Sequence, residues 1–469
     1  MLFCSFEFLY LFLPLMLAGY FAIGKYYGAR PAKAWLVLGS LFFYGWFKPW
    51  YLLVIFASIL GNFFVVRGLV HLPLTPRKRH ALCVLGVVFN LGLLGYFKYY
   101  DFAAHTVASL AGLKFVARGI VLPLGISFFT FQQIICVVDA FREPPEKRKS
   151  YNLLDYFLFV TFFPQLTAGP IVHHAEMMPQ FEQPENARPN GFNLAAGLHL
   201  FAMGLFKKIV IADFFAQWVT AGYANPSQLA FWSAWVVGAA YMFQIYFDFS
   251  AYSDMAVGVG QMFNIRLPVN FNSPLKAVSI QDFWKRWHIT LGRFLMQYVY
   301  FPLGGSRLGE ARACLNLFLV FVICGFWHGA SWLYLAWGFI NGVAMVAHRL
   351  WQKRGFAMPA ACGWIIMTFF FITTLVFVRS GTWDVCEPMF RAMFTSTDFS
   401  WGEVARVADG KWKPLWLLGA WVLVLAFRNA IEQNETFKPT RWRLVATVAL
   451  LVISVLHLSR ISPFIYFNF

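Results

Sequence analysis

The 469-residue chain is 59% hydrophobic and 20% aromatic, and only 13% of its residues are charged. This polar surface is too small to cover a water-soluble globule of that size, which excludes a soluble enzyme or binding module. The net charge of +17 does not indicate a nucleic-acid-binding protein, because lysines and arginines form short clusters between apolar runs. Composition therefore predicts an all-α polytopic membrane protein, with residues 1–469 forming a single membrane domain.

Apolar runs follow one another from end to end, and a bilayer core of about 30 Å needs about 20 residues per helix. We expect roughly 11–13 transmembrane or re-entrant helices around an intramembrane tunnel. No basic segment precedes the first run and it has no small-residue cleavage site, so we expect it to be a retained span. The predicted spans are 5–24, 34–47, 50–66, 81–97, 118–140, 152–172, 192–219, 229–249, 315–347, 363–379, 413–428 and 442–460.

Basic clusters predict the orientation of the chain, because cytoplasmic loops are enriched in lysine and arginine. The segment 143–150 and the segment 349–354 carry such clusters, so both are expected in the cytoplasm. The mixed-charge segment 380–412 is expected outside.

The run 315–347 has an unusual length, too long for one untilted span and short for two full ones. A re-entrant hairpin or two short tilted helices would fit it. Either arrangement places the interruption at 327–331 at the turn, where non-helical backbone is tolerated only beside protein or a water-filled cavity.

His328 lies in that interruption and is the first candidate for a functional residue. An ionisable side chain in an apolar run is costly enough that a functional role is the default hypothesis. Gly325 and Gly329 allow another backbone or a substrate to approach the imidazole closely. The alternative is a neutral, hydrogen-bonded histidine in a helix-packing seam.

His288 is the second candidate. A continuous helix would place Trp284, His288 and Leu291 on one face and Arg286 and Arg293 on the other, so the imidazole would point inward. An interfacial amphipathic helix that binds anionic headgroups would explain the same pattern without chemistry.

Asp248 and Asp254 end an apolar run that is rich in tyrosine and serine. They would serve in a proton relay, bind sugar or orient a histidine, or they would simply face headgroup water or pair with nearby arginines. The adjacent pair His173 and His174 does not have the spacing of helical metal ligands, so no metal site is predicted. No motif of a soluble hydrolase, metalloprotease or nucleotide-binding enzyme is present.

Several motifs together resemble the membrane-bound O-acyltransferase family, and within it the bacterial alginate O-acetyltransferases. The likeness covers nearly the whole chain, with a motif core at about 122–350. The motifs are YFDFSAYSDMAVG (246–258), NFNSP (270–274), FWKRWHITL (283–291), YFPLGG (300–305), GFWHGASW (325–332), LPLGISFFTFQ (122–132), FFPQLTAGPI (162–171) and FIYFNF (464–469).

The resemblance implies acyl transfer in a tunnel, with His328 as the essential histidine and His288 as a supporting one. A neutral His328 would be the general base for the attacking hydroxyl, and His288 would orient the acceptor or donate to the oxyanion. Further residues would bind or orient substrate, or would meet the donor at the cytoplasmic mouth. The orienting set is Asp248, Asp254, Asn272, Trp284 and Trp327, and the cations at the mouth are Lys285, Arg286 and Arg293.

The implied enzyme binds no cofactor and sits in a bacterial inner membrane. It would take acetyl from a cytoplasmic thioester, acetyl-CoA or an acyl carrier, for an exopolysaccharide such as alginate or cellulose. Its expected partners are a separate extracytoplasmic acetyltransferase and the polymer-synthesis machinery, with no nucleic acid. Two alternatives remain: a D-alanyl transferase for teichoic acid, and a polysaccharide transporter in which Asp248, Asp254 and His328 relay protons.

Overall fold

The computed structural model describes residues 1–144, 152–458 and 464–465, and within them the chain is helical without a β-strand. The basic residues Lys147, Arg148 and Lys149 lie outside the described residues. The chain divides into two compact units, one of Met1–Phe201 with Met255–Pro268, the other of Ala202–Asp254 with Val269–Phe469.

The first unit has a core of closely packed aromatic rings. Phe8, Phe43 and Phe163 lie in mutual contact, and Phe8 also stacks on Phe201 with ring centroids 6.2 Å apart. Its helices are α1 Leu13–Tyr27, α2 Ala29–Gly45, α3 Tyr51–His71, α4 Pro76–Leu94, α5 Tyr100–Leu110, α6 Ile126–Arg142, α7 Leu153–Thr161, α8 Phe163–Leu166, α9 His174–Glu182 and α10 Gly191–Phe206, of which α10 belongs to this unit as far as Phe201.

The second unit carries all the residues that the sequence analysis singled out as candidates for chemistry. Its helices are α11 Asp213–Ala224, α12 Phe231–Met262, α13 Ile280–Arg286, α14 Ile289–Leu295, α15 Glu310–His328, α16 Trp332–Lys353, α17 Ala360–Ser380, α18 Trp383–Phe394, α19 Gly402–Val407, α20 Leu415–Ala426, α21 Ala430–Glu435 and α22 Arg441–Leu456, of which α12 belongs to it as far as Asp254. Short π-helical turns at Lys207–Ala212 and Met296–Tyr300 interrupt its helical segments.

Six helices of the described chain are long and apolar enough to cross a membrane. Large apolar side chains stand exposed on their outer faces, as expected of helices whose solvent is lipid. The prediction of an all-α polytopic membrane protein is confirmed. The six spans are Phe8–Tyr27, Tyr51–His71, Pro76–Leu110, Gly191–Ala224, Glu310–His328 and Ala360–Ser380.

Three predicted spans have the wrong bounds. The run 152–172 is broken at Phe162, whose backbone leaves the helical region two residues before Pro164. A proline in a helix interior has no N–H to donate and clashes with the carbonyl four residues earlier, so Pro164 stands in the first turn of the new helix α8 instead. The run 118–140 becomes helical only at Ile126, after Gly125 in the left-handed region. Helix α12 continues beyond 249 to Met262, because small and apolar residues follow the two aspartates without a helix breaker.

The run 315–347 forms two helices, α15 and α16, that meet at a turn of residues 329–331. The turn therefore lies where the interruption predicted it. The prediction of short helices is wrong, because α15 and α16 have 19 and 22 residues and extend past both ends of the apolar run. Their far ends are joined by Glu310, which forms ion pairs with Arg349 and Lys353.

Glycines let α15 and α16 pack with their backbones in contact. A Cβ on Gly325 would lie 2.4 Å from the carbonyl oxygen of Tyr334, and one on Gly338 would lie 2.6 Å from that of Phe321. No side chain fits at either distance. This seam fixes the last turn of α15, and with it the position of His328.

Candidate active site

His328 is the last residue of α15 and is 6% exposed. Its Nδ1 lies 2.7 Å from the carbonyl oxygen of Cys324, one turn earlier in the helix. A carbonyl oxygen only accepts, so Nδ1 carries the proton and donates it. In the neutral imidazole, the lone pair is then on Nε2.

His288 does not lie within a helix, so the predicted continuous helical face is wrong. Helix α13 ends at Arg286, and His288 occupies the left-handed region with φ 46° before α14 starts at Ile289. Left-handed backbone is uncommon for a residue with a Cβ and clusters at functional sites. The turn buries the imidazole, which is 2% exposed.

Asn270 holds this turn in place. Its side-chain oxygen accepts from the backbone N–H and the hydroxyl of Thr290, at 3.2 and 3.0 Å, and lies 3.2 Å from Nδ1 of His288. Because the Thr290 N–H identifies that atom as the oxygen, Nδ1 of His288 donates to it and Nε2 carries the lone pair. Asn272, which the sequence analysis includes among the residues that bind or orient substrate, is instead exposed. Its side-chain oxygen accepts from the Asn429 side chain.

Aromatic rings surround the two imidazoles. Trp327 contacts both edge to face, with ring centroids 6.2 Å from His288 and 4.8 Å from His328. Trp337 stands at 5.2 Å from His328, and Trp284 at 5.8 Å from Trp337. The buried Nε1–H groups of Trp284 and Trp337 have no hydrogen-bond partner among the described residues. Buried donors of this kind need an explanation, and a bound substrate is one.

One cavity of about 480 Å³ connects the histidines with the surface. At its inner end are His288 and His328, and its outer part includes the exposed Lys285 and the half-buried Arg293. Its wall also includes Trp284, Leu291, Leu295, Leu317, Val320, Phe321, Cys324, Met345, His348, Arg349 and Gln352. Both imidazoles therefore line one cavity.

Arg286 does not line this cavity. Its Nε donates to Asp282 at 2.8 Å, an ion pair within α13. Arg349, which the sequence analysis did not place at the mouth, does line it.

Asp248 and Asp254 are held in ion pairs away from the imidazoles. Lys208 is fully buried, and its Nζ lies 2.7 Å from Asp248 and 2.9 Å from Asp213. Lys207 lies 2.7 Å from Asp254. This geometry does not support the suggestion that the two aspartates orient a histidine. The Nδ1 of His288 binds Asn270, and the Nδ1 of His328 binds the backbone carbonyl of Cys324.

The site thus offers two imidazoles whose Nδ1–H groups donate to oxygens and whose Nε2 carries the lone pair when the ring is neutral. They stand beside indole N–H donors at the end of a cavity with cations in its outer part. A family model described as MBOAT, membrane-bound O-acyltransferase family, matches residues 124–377. The chain belongs to the membrane-bound O-acyltransferase family. As a member of it, the chain is an acyltransferase.

Curated relatives of this acyltransferase cover most of its length. A peptidoglycan O-acetyltransferase of Helicobacter pylori is 44% identical over 82% of the chain and 78% of that protein. A probable alginate O-acetylase AlgI of Pseudomonas putida is 33% identical over 100% of both chains. A teichoic acid D-alanyltransferase of Bacillus subtilis is 26% identical over 55% of the chain and 68% of that protein.

The acyltransferase site contains residues that sequence reasoning missed, above all Asn270, Cys324 and Trp337. Asn270 stands in the NFNSP motif, but the sequence alone does not indicate a role for a neutral amide. Its role becomes visible only in the fold, where the loop that contains Asn270 pairs with the turn that contains His288. Backbone hydrogen bonds make that pairing, from Ile289 N–H to Asn270 O and from Asn272 N–H to Arg286 O. Trp337 precedes Gly338, where α16 packs closely against α15. The sequence does not show this packing, so it does not indicate that Trp337 belongs to the site.

Proposed function

We propose that this chain takes an acetyl group from acetyl-CoA in the cytoplasm for the O-acetylation of a polysaccharide outside the membrane. The names of the relatives at 33–44% identity, which act on peptidoglycan or alginate, support a glycan acceptor and an acetyl group. The observation that carries the donor assignment is the cavity that includes the exposed Lys285 and the half-buried Arg293 in its outer part and ends at two buried imidazoles.

The outer part of the cavity suits the donor. Coenzyme A carries phosphates, and Lys285 and Arg293 provide positive charge where such a molecule would enter, with Arg349 beside them in its ion pair with Glu310. The apolar stretch of Leu291 and Phe321 then excludes water from the path of the acyl end. A charged donor would therefore be held at the mouth while its thioester reaches the histidines.

The chemical step uses the lone pair of His328. Nε2 accepts the proton of the acceptor hydroxyl as its oxygen attacks the thioester carbonyl carbon. The C–O bond forms, the C–S bond breaks, and the proton passes to the leaving thiolate. The Nδ1–H bond to Cys324 O holds the imidazole in the tautomer that this step needs.

His288 serves this step as a hydrogen-bond acceptor. Because its Nδ1–H donates to Asn270, the neutral ring has no second N–H for an oxyanion, contrary to one of the roles expected from the sequence. Its Nε2 would orient the acceptor hydroxyl. The indole N–H of Trp337 supplies the donor that the carbonyl oxygen needs as charge develops.

The setting follows from the same proposal. The protein would work in a bacterial inner membrane with a separate extracytoplasmic acetyltransferase and with the machinery that makes the polymer. Alginate, cellulose and peptidoglycan are the candidate polymers, and the glycan that loses its acetyl esters in a deletion strain identifies the acceptor.

Transfer of D-alanyl is the weaker candidate, because the relatives with that name match about half of the chain at 25–26% identity. The transporter alternative has no support in the ion-paired carboxylates of Asp248 and Asp254.

The test is turnover of radiolabelled acetyl-CoA by the protein in lipid nanodiscs, measured as release of the CoA thiol and as label recovered in acetyl esters of added glycan or in free acetate. We expect His328→Ala to lose about 10² to 10⁴-fold in rate while it remains inserted and folded. His105→Ala, which changes an exposed histidine of α5, is the matched control and should keep wild-type turnover. Wild-type turnover in His328→Ala would end the assignment of the base.

A further inference from the structure

A second, much smaller cavity of about 20 Å³ lies against His328. It shares Trp287 and His328 with the wall of the large cavity. Helix α17 closes it on another side with Phe371, Leu375 and Val378, and the remaining wall is Ile245, Tyr334 and Trp337.

The size of this cavity limits what it holds. A space of about 10–15 Å³ accommodates one water molecule, so the cavity has room for one small group and no chain. The side chains of its wall are packed against further aromatic rings, so they cannot easily move to enlarge the cavity. Phe371 lies 4.4 Å from the ring of Phe283 and 5.4 Å from that of Trp287.

The chemistry of the cavity also restricts its occupant. The side chains around it are aromatic or aliphatic, and their polar groups are the imidazole of His328, the hydroxyl of Tyr334 and the indole N–H groups of Trp287 and Trp337. The Tyr334 hydroxyl donates to the carbonyl of Val378. No carboxylate stands in its described wall. An ammonium group would be buried there without a counter-charge, at high cost, whereas a methyl group would be favourable.

We propose that this small cavity receives the methyl group of the acetyl donor and thereby limits the enzyme to two-carbon acyl groups. The inference rests on the proposed function, because it assumes a thioester whose carbonyl carbon stands beside His328. The hydroxyl oxygen bonds to that carbon, the C–S bond breaks, and the proton goes by way of Nε2 to the thiolate. The methyl group stays in the small cavity throughout.

The wild-type enzyme tests this with a series of acetyl-, propionyl-, butyryl- and hexanoyl-CoA in nanodiscs, scored by CoA release that depends on His328. One methylene in a tight apolar pocket changes kcat/KM by about 10 to 200-fold. We therefore expect a fall of at least about 10-fold from acetyl to propionyl, and a further fall to butyryl.

Variants of the wall give the second readout. Phe371→Ala and Leu375→Ala each enlarge the cavity, so the ratio of butyryl to acetyl turnover should rise at least about 10-fold. Phe369→Ala is the matched control, since Phe369 lies on the same helix, stacks on Trp235 and is 48% exposed. It should keep the wild-type ratio.

The outcomes separate the two proposals. Equal turnover of acetyl and butyryl donors by the wild type would overturn the pocket and leave the proposed function standing. A strict acetyl preference that neither wall variant relaxes would overturn the assignment to this cavity. Turnover of none of the four donors would overturn acetyl-CoA as the donor, and the pocket with it.

Discussion

The imidazoles of His288 and His328 have the same hydrogen-bonding pattern. Each Nδ1–H is committed to an oxygen, Cys324 O for His328 and Asn270 Oδ1 for His288, so each Nε2 is an acceptor in the neutral state. Two acceptors take up a hydroxyl proton well but do not stabilise an oxyanion. The reaction needs a donor from elsewhere, and Trp337 has a buried N–H without a partner among the described residues.

Trp337→Phe tests that donor. The change keeps an aromatic ring against His328 and removes the N–H, so we expect kcat to fall by about 10² to 10³-fold with a smaller effect on KM. Trp351→Phe, on the same helix and 43% exposed, is the control and should leave kcat unchanged. A wild-type kcat in the first variant would exclude the indole from the reaction.

Asn270→Ala tests the support of His288. The change removes an acceptor that serves the Thr290 N–H, the Thr290 hydroxyl and His288, and it leaves buried donors without a partner. We expect a loss of about 1–3 kcal/mol in stability, seen in thermal unfolding, together with lower turnover. Asn272→Ala, two residues along the same loop, should change both much less. Equal effects of the two variants would contradict the orienting role.

The sequence predicts His328 because an ionisable group in an apolar run is conspicuous, and the structure places it in a cavity. It does not predict Asn270, whose role depends on a long-range pairing of two loops. Nor does it predict the left-handed backbone of His288, because that turn is held by the Asn270 side chain and by burial of the imidazole among Phe249, Phe271 and Trp327, which meet only in the folded chain.

At the scale of elements, the α15 and α16 hairpin decides where the base stands. The pattern of apolar runs predicts two helices and their turn, but not their lengths, because the polar ends that extend them carry no hydrophobic signal. Glu310 makes those ends part of the fold by joining α15 to α16 through Arg349 and Lys353. Arg349 and Lys353 belong to the basic segment from which the sequence analysis predicts the cytoplasmic side. The same residues therefore also hold α15 and α16 together.

Gly338→Ala tests the seam of this hairpin. A Cβ at Gly338 would lie 2.6 Å from Phe321 O and 3.1 Å from Gly325 Cα, both backbone atoms, so the helices must separate. We expect a lower unfolding temperature and a loss of turnover, because His328 follows the displaced turn. Gly419→Ala in α20 meets no atom within 4 Å and should be neutral or stabilising by up to about 1 kcal/mol. Full activity in Gly338→Ala would show that the seam does not position the base.

At the scale of the whole molecule, the direction of the cavity follows from the direction of the hairpin. Helix α15 rises about 27 Å from Glu310 to His328 at 1.5 Å per residue, so its ion-paired end is far from the end that carries His328. Arg349 and Gln352 line the cavity at the ion-paired end of α16. The mouth therefore faces the same side as the segment 354–359.

The orientation in the membrane is the last prediction, and it decides between a cytoplasmic and an external donor. The cations at 349–354 predict that this end is cytoplasmic, and the 21-residue helix α17 then carries the chain across to segment 380–412. We expect a phosphatase that is active only outside the cytoplasm to be inactive when fused at 355 and active when fused at 396. A cytoplasmic fluorescent reporter at the same two sites should give the opposite pattern, which controls for fusions that fail to insert. The reverse result would place Lys285, Arg293 and Arg349 outside, where acetyl-CoA is absent, and the donor would then have to be another acyl carrier.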